Sequence, residues 1–380
     1  MSRSRSTKKG RKSAGGRRFI PPTAHEAMSH RLPGLAEVIR AAADKARRAP
    51  HWGQASIITP EAIGEIPEVQ EFLRFHALEK YQRYGLSADE ALDDADMLGN
   101  HIFYILNLDL HYRKLFWVDE SLAWMLDRTR LDIEGSYLQL PFSSFAFVFT
   151  DPLVLDLCHT LTQVDIGLKD AHKKPKIVTV YLVCAPLTDE VRGVHLRILI
   201  DRTLPDGWPY LITRDLQVRS KDHLDAILDS HFSEVNIANL DPFFFDAKLK
   251  RLLHLVVNAI LYATTAHLDA VVVHSPLRGL KARMAATGPA KVGKLARRTA
   301  RFSAEDVYHL PGKIPISQLV RLRDLEKDQD GQGLMMRFMV RGHWRRAEPN
   351  WKDQRLRWIE PYWKGPDLAA IIEREYQMKP

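Results

Sequence analysis

Cysteine is scarce in this chain. Only Cys158 and Cys184 occur in 380 residues. Both have apolar neighbours, so they read as buried, reduced thiols. That excludes a disulfide framework and any cysteine-rich zinc module. Long apolar runs are missing too. The longest uncharged apolar stretch runs from Leu252 to Leu268 and contains His254, Asn258 and His267. It is too short and too polar to cross a membrane and reads as a buried helix. The first residues, Met1-Ser2-Arg3-Ser4-Arg5, lead into a basic tract where a secretory signal would have its apolar region. A bacterial cytoplasmic protein without membrane contact is expected.

Complete catalytic signatures are also lacking. Gly288 to Lys294 has the spacing of a phosphate-binding loop, but Leu295 stands where a Ser or Thr should hold magnesium. His25-Glu26 with His30 imitates a zinc-protease motif. A spacing of five turns the two histidines about 140° apart on a helix, so they do not converge on one metal. Asp324, Glu326, Asp328 and Asp330 could hold a nuclease metal, yet they read more simply as a solvated turn. His343, between Arg341 and Arg345, could act as a general acid on a phosphodiester, but no base stands at a fixed spacing from it. No cofactor and no resident metal are expected.

The charge is unevenly placed. Residues 1–18 carry eight basic side chains and no acid, which equals the whole net charge of +8. A second acid-free run, Ala270 to Ala304, carries Arg278, Lys281, Arg283, Lys291, Lys294, Arg297, Arg298 and Arg301. These sixteen of the 55 basic residues leave 39 against 47 acidic ones in the body. A mildly acidic body with two positive appendages draws polyanions, through salt-sensitive and sequence-independent contacts. Those eight residues are the polyanion-binding candidates. Solvated, solubilising segments are the plainer alternative.

The apolar pattern divides the chain into a disordered basic tail (1–19), a helical region (20–112), an α/β core (113–275) and a basic C-terminal region (276–380). Leu35, Val38 and Ile39 show helical spacing. A second helix ends near Gly85, and Ser87 to Glu90 form a capping box that opens a third. The period then shortens. Strands are predicted at 114–118, 145–149, 176–184, 193–201 and 210–218, with a turn at Pro205-Asp206-Gly207. Short links between strands favour antiparallel pairing. Helices are predicted around 151–163, 221–230 and 243–266, strands at 334–340 and 356–362, and a last helix from Pro366 to about Tyr376. The fold class is α+β: a helical N-terminal part, a central, mostly antiparallel sheet covered by helices, and a C-terminal basic β-hairpin-like segment.

That last segment is the most distinctive. Four of the eight tryptophans lie between Trp344 and Trp363. Candidate peptide- or RNA-binding residues are Arg341, His343, Trp344, Arg345, Arg346, Trp351, Arg355, Arg357 and Trp358, because Trp and Arg combine contact area with directed donors. Three readings stay open. Trp344 and Trp358 could be core residues of one hairpin with guanidiniums stacked outside. The block could contact a peptide or protein. It could bind RNA by stacking and phosphate pairing.

Arg341-Gly342-His343-Trp344, the Arg-x-Arg-Trp at Arg355 to Trp358 and the following Pro361 resemble the end of the type V-A anti-CRISPR family, which suppresses production of its target nuclease. Val307 to Gly312, Leu140-Pro141 before the aromatic strand, and the long apolar helix after Asp241 are similar in order. The resemblance implies a mobile-element protein that binds a short N-terminal peptide of its target as it is translated, near an mRNA or ribosome, and causes loss of that message. The first 110 residues match no part of that pattern, so the recognised peptide could belong to another target. An RNA-binding protein or metal-dependent RNase, and a plain partner-binding protein, are the competing readings.

Overall fold

The computed structural model describes Thr23, His25, Ser29 and residues 32–48, 57–85, 87–111, 113–166, 175, 177–187, 192–203, 209–233, 242–265, 271–273, 286, 306–310, 336–340, 342–364 and 370–372. The basic tail and all eight polyanion-binding candidates from Arg278 to Arg301 lie outside these residues, as do Arg341, the loop at 288–295 and the acidic stretch 324–330.

The helical region begins with α1 (Leu35–Arg48), α2 (Pro60–Gly64), α3 (Pro67–Tyr84) and α4 (Ala88–Leu110). Leu35, Ile39, Ala42, Ala43 and Ala46 give α1 one buried stripe. Thr59 opens α2, its hydroxyl accepting from the Ala62 amide at 3.3 Å, with Pro60 at the first helical position. Gly85 ends α3 with φ of +67°, a backbone turn that a side chain would oppose.

The chain then builds a seven-stranded sheet from β1 (Lys114–Val118), β3 (Ser144–Phe149), β4 (Val178–Pro186), β5 (Gly193–Thr203), β6 (Pro209–Arg219), β7 (Val271–Val273) and β8 (Asp306–Leu310). The order is β6-β5-β4-β3-β1-β8-β7. From β4 to β6 the pairing is antiparallel, as the short links imply, and β3 also lies antiparallel to β4 although a helix, Pro152–Ile166, stands between them in the chain. At β1 it changes, because β1 lies parallel to both β3 and β8.

Both faces of this sheet are covered. One face presents Phe116, Phe145, Phe147, Val180, Leu182 and Ile198 to α5 (Glu120–Asp127), α6 (Pro152–Ile166), α7 (Leu224–Ser233) and α8 (Pro242–Thr264). The other presents Leu115, Ala146, Val148, Tyr181, Val183 and Leu199 to α1 and α4. Double coverage explains why every residue of β3 is buried and no polar alternation appears there. Both cysteines are buried free thiols, and burial pushes the Cys184 thiol well above its ordinary range.

A buried polar chain ties the start of the described fold to the sheet. His25 Nδ1 lies 3.2 Å from His101 Nε2 on α4, and the Ser29 hydroxyl lies 3.2 Å from His25 Nε2. His101 Nδ1 stands 3.1 Å from the Asp201 carboxylate on β5, and the Tyr181 hydroxyl accepts from the His25 amide at 3.1 Å. His25 therefore finds its histidine partner on another helix. Burial, then the nearby His101 and Arg113, hold His25 well below the ordinary imidazole range.

Two small sheets follow. β2 (Thr129–Arg130), β10 (Gly342–Arg345) and β11 (Arg357–Ile359) form one; β9 (Met336–Val340), β12 (Tyr362–Lys364) and β13 (Ala370–Ile372) form the other. The single strand expected over 356–362 is thus two strands in different sheets, parted at Pro361, which has no amide hydrogen for a ladder. The helix expected from Pro366 to Tyr376 is corrected at residues 370–372. They pair parallel to β9, so sheet contacts override the local helical pattern.

Candidate functional site: a latched hairpin and a cavity at the sheet edge

β10 and β11 are antiparallel, with Trp344 opposite Trp358. The register continues into β9 and β12, where Val340 faces Tyr362. Residues 336–364 therefore hold one hairpin register whose outer partners change at Pro361.

Its tryptophans are committed to the interior. Trp344 is buried, and its indole Nε1 donates to Asn258 Oδ1 at 2.7 Å. Asn258 sits on α8 with no exposure. Its Nδ2 donates to the carbonyls of Leu126 at 3.2 Å and Thr129 at 3.1 Å. An indole only donates and a carbonyl only accepts, so this set of partners fixes which way the amide points. Trp358 Nε1 donates to Thr129 Oγ1 at 3.2 Å, and that hydroxyl donates to the Met125 carbonyl at 2.9 Å. Trp358 also meets Tyr262 edge-on at 5.0 Å. Gly342 lies so close to this knot that a Cβ there would stand 2.6 Å from Thr129 Oγ1 and 2.9 Å from Pro361 Cδ. The Gly-His-Trp and Arg-x-Arg-Trp residues thus include a latch between the hairpin and the body.

The outer side of the hairpin is cationic. The guanidiniums of Arg345 and Arg357 both pack on Trp351, each 4.8 Å from its ring centre. Both arginines are exposed and the ring is half-buried. Arg355 donates to Asp353 from its amide at 3.1 Å, Nε at 2.8 Å and Nη2 at 3.0 Å. Those bonds hold the Asp353 carboxyl well below the usual carboxylate range. Arg346 pairs with Glu134 at 3.2 Å and lies over the Tyr137 ring. His343 is exposed on β10. The sequence-predicted residues therefore separate: Trp344 and Trp358 face inward, whereas His343, Arg345, Arg346, Arg355 and Arg357 lie outside, Arg345 and Arg357 against Trp351.

A second feature has no sequence signature. A cavity of about 410 Å³ opens between the helical region and the outer strands of the large sheet. Pro60, Phe103, Tyr104 and Asn100 line it from α2 and α4, with Arg197 from β5 and Thr213, Arg214 and Asp215 from β6. Arg197 lies 5.8 Å from the Phe103 ring centre. Tyr104 is held above the ordinary phenol range, first by burial and then by Asp215. These residues come from four elements distant in sequence, and only the fold brings them together.

A family model, AcrVA2-like (anti-CRISPR type V subtype A2 family), matches residues 116–365. The chain belongs to this anti-CRISPR family. No curated protein and no solved structure matches it. The matched span of this anti-CRISPR protein holds all of the large sheet from Phe116 onward, the helices α5 to α8 and the whole hairpin. The helices α1 to α4 lie outside it. The cavity is therefore a seam: Arg197, Thr213, Arg214 and Asp215 belong to the matched span, and its helical wall does not.

Proposed function

We propose that this anti-CRISPR protein recognises an N-terminal peptide of a specific target protein during translation and lowers its expression through loss of the translated mRNA. Family membership over residues 116–365 carries this reading. The fold supports it in two ways. The cavity at the sheet edge offers cationic, aromatic and hydrogen-bonding groups suited to a peptide. The Arg345–Trp351–Arg357 face offers fixed positive charge suited to keeping a message or ribosome close. The test is a reporter that carries the first codons of a type V-A CRISPR nuclease. Its mRNA should fall when this protein is present. Synonymous recoding that keeps the peptide should leave the effect intact, and loss of the effect on recoding would rule out peptide reading.

The same cationic face favours a second reading, direct RNA binding. Purified protein would then retain single-stranded RNA at low salt, with affinity falling steeply as salt rises. Failure to retain RNA at low salt would end that reading.

A further inference from the structure

Several half-buried arginines of the protein body have a carboxylate. Arg113 meets Asp109, and Arg128 and Arg251 meet Asp127. Arg197 departs from this. It is half-buried, rests on Phe103, and makes no hydrogen bond or ion pair among the described residues. Its cross-strand neighbour on β6 is Asp215, which stands instead 3.5 Å from His195. A guanidinium that has lost part of its hydration and gained no acceptor is suited to an incoming anion, which it can hold through two parallel bonds. Arg214 on the wall already gives its guanidinium to the Thr213 carbonyl at 2.6 Å, and Asp215 and Glu61 on α2 are the acids close to Arg197, so the cavity suits one negative charge, held on Arg197, better than two. Pro60 and Phe103 supply an apolar side for the carbons that carry that charge.

The neighbouring backbone suggests how a ligand would lie. β6 ends the seven-stranded sheet, and no further strand pairs with its outer edge among the described residues. A sheet edge of this kind accepts an extended chain by continuing the ladder. Thr213, Arg214 and Asp215 belong to both the edge and the cavity, so a peptide along β6 would pass the cavity mouth.

We propose that the cavity is a specificity subsite that takes the carboxylate of an Asp or Glu side chain, held on Arg197, from a peptide laid along β6. This rests on the peptide-reading function above and names where discrimination occurs. The helical wall lies outside the family-matched span, so Asn100, Phe103 and Tyr104 would set which acidic peptide this member prefers.

The experiment uses the full chain and labelled synthetic peptides holding the first twenty or so residues of type V-A CRISPR nucleases, with binding read by fluorescence anisotropy. For a peptide that binds, replacing its acids one at a time by Asn or Gln should reveal one position whose loss weakens binding about tenfold or more. Arg197→Ala should weaken the parent peptide to the same extent and the substituted peptide no further, with an unchanged melting temperature. Arg197→Lys should recover part of the loss. If Arg197→Ala binds the parent peptide as the wild type does, the subsite is wrong while peptide reading stands. If the wild type binds none of the peptides, peptide reading fails. The subsite is then decided by NMR of the arginine side chains with N-acetyl-glutamate amide, N-acetyl-glutamine amide and inorganic phosphate. A shift of Arg197 with the glutamate derivative alone supports it; no shift, or a shift with phosphate alone, overturns it.

Discussion

Replacing Asn258 with Leu tests the latch most directly. The volumes are similar, so the change removes hydrogen bonds without opening a large cavity. Three buried groups would lose a partner: the indole N–H of Trp344 and the carbonyls of Leu126 and Thr129, of which the Leu126 carbonyl keeps the Arg128 amide. Each such loss costs about 1–3 kcal/mol, and a carbonyl keeps a second lone pair, so the total should fall near 3–5 kcal/mol. That is a large part of the roughly 5–15 kcal/mol that holds a typical protein folded. Urea unfolding followed by tryptophan fluorescence and circular dichroism measures it. Trp344→Phe removes the donor together with part of the buried ring. In the double variant the two losses should overlap by at least about 1 kcal/mol, since one bond is counted in both. Hydrogen exchange should quicken at β10 and β11 while β4 and β5 keep their protection. A loss under about 1 kcal/mol for Asn258→Leu, or unchanged exchange at residues 342–345, would refute the latch.

Gly342→Ala should destabilise by about 2 kcal/mol or more, because its Cβ would press on Thr129 Oγ1 and on the Pro361 ring; a thermal melt reads this. Acid should loosen the N-terminal attachment. His25 stays neutral in the fold well below the ordinary imidazole value, so below about pH 6.5 the unfolded chain takes up a proton that the folded chain refuses. Stability should therefore fall by about 1.4 kcal/mol per pH unit below that point, down to the folded-state value. His25→Gln should remove this part of the slope in urea titrations between pH 7 and pH 5. Trp351→Ala should change stability little, since each exposed stacking contact contributes about 0.5–1 kcal/mol, but it should release Arg345 and Arg357 and reduce RNA retention at low salt.

Much of the fold is legible in the sequence because its signals are local. Strands β4, β5 and β6 announce themselves by β-branched runs, and neighbours in sequence pair in space; the turn expected at Pro205-Asp206-Gly207 lies outside the described residues. The parallel placement of β1 between β3 and β8 has no such signal, because nothing in Lys114–Val118 names a partner almost two hundred residues ahead. The last helix failed for a related reason: β9 recruits Ala370–Ile372 as a strand whatever their own preference. The hairpin was readable from Gly342, the paired tryptophans and Pro361. What the tryptophans do was not, because Asn258 lies in the apolar stretch 252–268 and looks there like an interruption of a core helix. The cavity was hidden most completely, since residues near 60, 100, 197 and 214 share no motif.

The placement of β1 bears on the protein's own synthesis. Its neighbour β3 follows closely, but β8 begins only at residue 306. While the ribosome makes the residues between, one edge of β1, apolar on both faces, waits without a strand. Closure over so long a separation is slow compared with the local β4 to β6 meander. A half-made chain therefore offers a sticky edge in the middle of its future sheet. Early termination anywhere before residue 306 should yield aggregates and no smaller folded unit.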